Sequence, residues 1–412
     1  MAVIRPFRAV RPAEGKASQV AALPYDVYNR KEAAEEVKDK PLSFLNIDRA
    51  ETQFGDDVDT YDDRVYKKAR ELYELRKEDK TFIQEEKPCY YVYQLTMDGR
   101  TQTGLVAVSS IDDYADNVIK KHENTREDKE LDRIRHVDTV GAQTGPIFLA
   151  YRADNSVSEV IKRVKGMKPL YEFEADDGIK HAAWKISDET DINTILTAFK
   201  NINSIYIADG HHRAASAVKV GFKKRKEHPE YDGTEEFNYF LSVLFPDEEL
   251  MIMPYNRVVK DLNGLTVQEY MDKISESFEV QDKGTEPYSP GRKGVIGMYL
   301  EGSWYALKAK ECIKSEDPVE GLDVSLLQNH LLKPVLGIDD PRTDERIDFI
   351  GGIRGLKELE RRCGSDMEVA FSMYPTSIHE LFSVSDAGLL MPPKSTWFEP
   401  KLRSGLFIHE IE

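Results

Sequence analysis

The sequence predicts an α+β fold divided into two domains. Paired strands joined by tight turns alternate with segments of helical periodicity, which is the pattern of mixed sheets flanked by helices. The 412 residues exceed what one ordinary hydrophobic core accommodates. FPDEEL (245–250) is a polar break between two apolar runs, FNYFLSVLF (237–245) and MIMPYNRVV (251–259). The expected domains are therefore 1–247 and 248–412, the second of α/β type.

The elements follow in order. In AALPYDVYNRKEAAEEV, Asp26 or Asn29 offers a cap to the helix that KEAAEEV begins. SFLNIDRAE (43–51) is a short apolar run. Within 59–80, Val65, Ala69, Leu72, Tyr73 and Leu75 recur near one helical face. CYYVYQLTMDGRTQTGLVAVSSI reads as a hairpin turning at Asp98-Gly99, a pair suited to the positive φ of a two-residue turn. VIKKHENTREDKELDRIRHVDTVGAQ is a short strand followed by a charged helix. PIFLAYR (146–152) and HAAWKIS (181–187) are strands, with a helix at 189–200. SIYIAD (204–209) is a strand that feeds the helix containing AASAVKVGF, and FNYFLSVLF is apolar enough for a central strand. The second half predicts a helix at 266–277, a strand at FEV and a hairpin in VIGMYLEGSWYALK (295–308). Helices at 324–336 and 354–363 and a strand in VAFSMYP (369–375) complete it.

Composition excludes several classes. With 57 basic and 74 acidic residues the net charge is −17, so the chain as a whole repels nucleic acid. The basic run KKRK (223–226) ends a helix, where positive charge suits the dipole. No apolar run is long enough to span a bilayer, and MAVIRPFRAVRP lacks the apolar stretch of a signal peptide, so no membrane partner and a cytoplasmic location are expected. Cys89, Cys312 and Cys363 are scattered, with no metal spacing and no disulfide framework.

ADGHHRAASA (208–217) concentrates the chemistry. Gly210 permits a tight turn between strand and helix, and the first helical amides are unpaired and favour an anion. Arg213 suits a phosphate or carboxylate, His211 and His212 can hold or move protons, and Asp209 can bind a divalent cation or orient a histidine. Adjacent histidines meet one tetrahedral zinc ion poorly. A second cluster, VIKKHENTRED (118–128), puts His122 and Glu123 at a strand end, with Thr125 ready to cap the next helix. Glu123 is a natural general base if it faces the same cavity. HExxH, GxxxxGK[ST], GxSxG and GxGxxG are all absent. Elsewhere, Arg257 in PYNRVV and Lys394 in MPPKSTWF could supply charge to a phosphate, and DPRTDERIDFIGG (340–352) sets dense charge before a Gly pair. Asp26 of ALPYDV could line the cavity or serve as a cap.

Together, the HE at a strand end and DGHHR opening a helix resemble the free-serine kinases of the ParB/sulfiredoxin superfold, over residues 118–222. The resemblance implies a ParB/sulfiredoxin-like core in the N-terminal half. It also implies phosphoryl transfer between ADP or ATP and free L-serine or O-phosphoserine, with Mg2+ bridging the phosphates. Carried residue by residue, it makes Glu123 the base and assigns Asp209 and His211 to catalysis, with Asp209 also on the metal. His122, Thr125, Gly210, His212 and Arg213 would bind substrate or phosphate, joined by Arg257 and Lys394. Glu123 and Asp209 lie 86 residues apart, farther than in the compact kinases, and a hairpin inserted near 165–187 would account for the difference. The whole chain resembles the DUF1015 proteins through PYDV, SFL, KKHENT, DGHHR, PYNRVV, DPRTDERIDFIGG and MPPKSTWF. The competing expectations are a phosphoserine phosphatase-like hydrolase and a non-catalytic protein that binds a nucleotide, a metabolite or nucleic acid. A homodimer is also expected.

Overall fold

The computed structural model describes residues 1–125 and 127–412. They form two compact units, one made of residues 1–250 and 400–412, the other of 251–399. Helices and sheets are mixed in both, as an α+β fold requires.

The first unit is built on a nine-stranded sheet among the described residues. Its main path runs Ile119–Lys120, Ile205–Asp209, Ile147–Tyr151, Tyr239–Pro246, Arg100–Ser110, Tyr90–Met97, Lys180–Ile186 and Tyr171–Glu174. The apolar run FNYFLSVLF supplies Tyr239–Pro246, which is central and buried on both faces. Where its faces carry hydroxyls they pair, Ser109 Oγ and Ser242 Oγ lying 2.8 Å apart. The Tyr90–Met97 and Arg100–Ser110 hairpin turns at Asp98 and Gly99, with φ of 51° and 78°. Tyr171–Glu174 and Lys180–Ile186 form an antiparallel hairpin that falls, in sequence, between the two motifs.

Helix Asn155–Lys165 buries Val157, Val160, Ile161 and Val164, one apolar stripe, against the sheet core. The Asp154 side chain caps it by accepting from the amides of Ser156 and Val157. Helix Asp63–Glu78 buries Val65, Ala69 and Tyr73 in a second cluster with Phe44, Leu45 and Ile408. Leu75, assigned by sequence to that face, is exposed because its position falls off the stripe. SFLNIDRAE is helical, in Leu45–Asp48 and Ala50–Gln53. Asn29, not Asp26, caps Arg30–Val37, in a reciprocal arrangement with Glu32.

Residues 400–412, expected in the second domain, belong to the first. His409–Glu410 pairs with Ala142–Gln143, and buried Phe407 packs on Tyr91 and Tyr93. Burial of this apolar tail draws the chain back.

The second unit carries a six-stranded sheet among the described residues, in the order Phe278–Gly284, Ser303–Ala309, Val295–Leu300, Val369–Ser372, Tyr255–Val259, Ile347–Gly351. Every pairing is antiparallel. This corrects the α/β expectation: the hairpin at Glu301-Gly302 and the antiparallel neighbours leave no parallel crossover. Helix Leu356–Cys363 packs Leu359 on Val258, Trp304 and Ile350. The helix expected at 324–336 is shorter, Asp323–Leu327, and widens into a π turn at Gln328–Leu332.

Candidate functional site

The site arises from one parallel strand pair. Ile119–Lys120 lies beside Ile205–Asp209, with Ile119 opposite Ile205 and Lys120 opposite Tyr206. Because the strands run the same way, their C-terminal ends emerge together, and His122-Glu123 leaves the sheet beside Asp209 and the helix that follows. On the other edge, Ile147–Tyr151 pairs antiparallel with Ile205–Asp209, and the register shifts between Ile207 and Asp209. Such an irregularity re-aims the side chains at a strand end. Gly210 then turns the chain at φ 92°, a left-handed conformation that glycine adopts without steric cost, and helix His211–Glu227 begins.

The histidines of the two motifs meet edge to face, His122 and His211 having ring centroids 4.5 Å apart. Both are buried, at 2% and 6% exposure. Among the described residues, neither nitrogen of His122 completes a hydrogen bond of ordinary geometry, and Nε2 of His211 has none. Burial pulls His122 down to about 4, against the Ile207 backbone and the Asp209 charge. Burial also holds His211 well below the usual imidazole range, reinforced by His122 and opposed by Asp209. Both rings are therefore neutral at pH 7. Glu123 Oε2 lies 4.0 Å from His211 Nδ1, and the Glu123 side chain is 52% exposed, so the carboxylate sits at the rim of a buried imidazole pair.

Asp209 pairs with Arg213 Nη2 at 3.1 Å and with Lys401 Nζ at 3.7 Å. Burial alone would raise its carboxyl, but Lys401 and Arg213, then the two histidines, hold it below the usual range. Arg213 also donates through Nη1 to the Pro146 carbonyl at 2.6 Å, while its buried Nε has no partner among the described residues. A magnesium ion demands oxygen ligands and would approach Asp209 against two cations. The expected metal role of Asp209 therefore does not fit this arrangement.

The other expected residues divide. His212 is half-buried in the first turn of the helix, and its charge bears on Glu130. Thr125 donates its hydroxyl to Glu130, which Lys219 also pairs, so that proton is committed within the fold. Arg257 and Lys394 lie in the second unit, where buried Arg257 donates to the carbonyls of Tyr255 and Lys394. With no carboxylate as its first influence, Arg257 is lowered by burial to about 10. The charges of DPRTDER pair locally, Arg342 with Asp340 and Arg346 with Asp344. Its glycines serve packing: a Cβ on Gly351 would stand 2.8 Å from the Trp397 indole, and one on Gly352 2.7 Å from Pro254.

Sequence reasoning missed Lys401, which arrives with the returning tail, and the residues beyond Arg213. A cavity of about 30 Å3 there is lined by Pro24, Tyr25, Arg133, His136, Arg213 and Ser404, among others. A larger one, about 230 Å3, shares Tyr25, Asp48, Arg133 and His136 and adds Arg49 and Lys129. The Arg133 guanidinium lies 3.9 Å from the Tyr25 ring centre. Burial pushes the Tyr25 phenol up to about 12, against the pull of Arg133. PYDV thus lines the cavity through Pro24 and Tyr25, whereas Asp26 is exposed. The periodicity of the charged helix Glu127–Val140 gave no sign that Arg133 and His136 turn inward.

No described helix is long and apolar enough to cross a membrane. The family model described as "Protein of unknown function (DUF1015)" matches residues 4–325. No curated protein matches the chain. Similar solved structures include a point mutant of a free serine kinase in complex with AMP, at 14% identity and a TM-score of 0.35, covering 72% of this chain and 87% of that one. A conserved hypothetical protein from Pyrococcus furiosus is similar at 14% identity and a TM-score of 0.34, covering 73% and 93%. SbnI with a C-terminal truncation, from Staphylococcus aureus, is similar at 11% identity and a TM-score of 0.37, covering 71% and 82%.

Proposed function

We propose that this chain, which belongs to the DUF1015 family, transfers a phosphoryl group between a nucleotide and the hydroxyl of a small hydroxy-amino acid, free L-serine or O-phosphoserine. The observation that carries the reading is the 4.0 Å approach of Glu123 to His211, where the HE strand end and the DGHHR helix mouth come together. The first unit would hold the catalytic machinery on a ParB/sulfiredoxin-like core.

Each group has a task that its surroundings suit. Glu123, half-exposed, accepts the proton of the serine hydroxyl as its oxygen attacks phosphorus. The bond from phosphorus to the bridging oxygen of ADP or ATP breaks, giving O-phosphoserine with AMP or ADP. The start of helix His211–Glu227 has no side-chain cap, so its amides and positive dipole end are available to phosphate oxygens. Arg213 Nε and His212 add positive or donor groups beside them. Asp209 is a positioning residue that holds Arg213 and Lys401 at the helix mouth. Phosphoryl transfer depends mainly on positioning and charge stabilisation, which this arrangement supplies. The same groups serve the reverse direction from O-phosphoserine.

The test incubates the protein with ADP or ATP, L-serine and magnesium salt and follows phosphorus by NMR. A phosphoserine resonance growing with AMP or ADP supports the reading. Absence of transfer in both directions, with O-phosphoserine and AMP or ADP as the reverse pair, overturns it. Inorganic phosphate from O-phosphoserine alone would instead favour the hydrolase.

A further inference from the structure

The cluster around Glu123 has a property that the phosphoryl-transfer reading does not use. One nitrogen of His122, one of His211 and one oxygen of Glu123 all lie within 4.8 Å of one another. Ligands about 2.0–2.2 Å from a four-coordinate ion stand about 3.3 Å apart. Side-chain rotations of about an ångström would therefore gather these three onto one centre. Glu123, with its side chain 52% exposed, has room for its part of that movement.

A second observation comes from hydrogen bonding. Buried polar atoms normally have partners. Among the described residues Nε2 of His211 is buried without one, and neither nitrogen of His122 completes one of ordinary geometry. The two residues are at 2% and 6% exposure, and their rings face each other across the cluster. A bound cation would satisfy lone pairs that no described protein donor reaches. The donor set selects the ion: two imidazole nitrogens and one carboxylate oxygen suit borderline ions such as Zn2+ or Co2+, whereas Mg2+ prefers oxygen alone. Three protein ligands also leave at least one coordination position for water or substrate.

We propose that His122, Glu123 and His211 form a three-ligand site for a divalent transition-metal ion of the Zn2+ or Co2+ class. The adjacent His211 and His212 do not share the ion; the second imidazole comes from His122, across the parallel strand pair. This inference stands apart from phosphoryl transfer, since the resting protein alone suffices to test it. The two readings are compatible, because a carboxylate that gives one oxygen to a metal retains the other.

The experiment strips the protein with a chelator, then dialyses it against Zn2+ or Co2+ without nucleotide or serine. One equivalent should bind per chain, and Co2+ should show the ligand-field absorption of mixed nitrogen and oxygen ligation. Glu123→Gln and His211→Asn, each verified as folded by circular dichroism, should each weaken Zn2+ binding at least about tenfold. Glu123→Gln keeps the assay interpretable if His211→Asn fails to fold, because the Glu123 side chain is half-exposed. No stoichiometric binding, or equal affinity in wild type and Glu123→Gln, overturns the site. Serine turnover by the chelator-treated protein with magnesium would then leave the phosphoryl-transfer reading in place.

Discussion

His181 provides an acid-sensitive clasp for the returning tail, and its behaviour with pH follows from three hydrogen-bonding groups. The residue is 1% exposed in strand Lys180–Ile186. Arg403 donates through Nε to His181 Nε2 at 3.3 Å, and a guanidinium cannot accept, so Nε2 carries no proton. The single imidazole proton therefore sits on Nδ1 and points to the Tyr93 hydroxyl, 2.9 Å away. Burial and the Arg403 charge pull His181 down to about 3, against Asp177. The unfolded chain takes up that proton near 6.5, while the folded chain resists until about 3, so acid favours unfolding between those values. Lowering the pH from 7 to 5 should cost about 2 kcal/mol from this group. His181→Gln retains an acceptor for Arg403 but does not titrate. The assay is amide hydrogen exchange of Lys180–Ile186 at both pH values, corrected for intrinsic rates and read as opening free energy. Wild type should lose about 2 kcal/mol more than the variant on acidification. An equal loss in both proteins would refute the neutral, clasped His181.

Two further substitutions test separate parts of the account. Arg213→Ala should raise the dissociation constant for ADP at least about tenfold, the scale of one lost charged hydrogen bond, measured by calorimetry; unchanged affinity would remove Arg213 from the phosphate site. Gly351→Ala should lower the stability of the second unit by about 1–3 kcal/mol, because its Cβ would meet the Trp397 indole. A wild-type melting temperature would show that the indole yields without cost.

Legibility in the sequence followed the range of the interactions involved. Asp98-Gly99 was readable because a two-residue turn imposes a local φ requirement. FNYFLSVLF was readable because a strand buried on both faces must be continuously apolar. The residues of the site were readable as two motifs, and their meeting was not. It depends on the two-residue strand Ile119–Lys120 choosing Ile205–Asp209 as its parallel neighbour, and two residues carry no periodicity. The tail was hidden for the same reason: His409–Glu410 reaches Ala142–Gln143 across most of the chain, and Lys401 travels with it to Asp209. In the second unit, helical segments between strands suggested crossovers, but pairing direction is set by which strands become neighbours, and there all are antiparallel.

The central claim is that the Glu123 carboxylate removes the acceptor proton at the mouth of the DGHHR helix. Its most direct test compares wild type and Glu123→Gln in two quantities, the rate of phosphoserine formation from ADP or ATP and serine, and the dissociation constant of the nucleotide. The account predicts a rate at least about a hundredfold lower with nucleotide affinity nearly unchanged, as loss of a general base requires. Equal rates in the two proteins would contradict it.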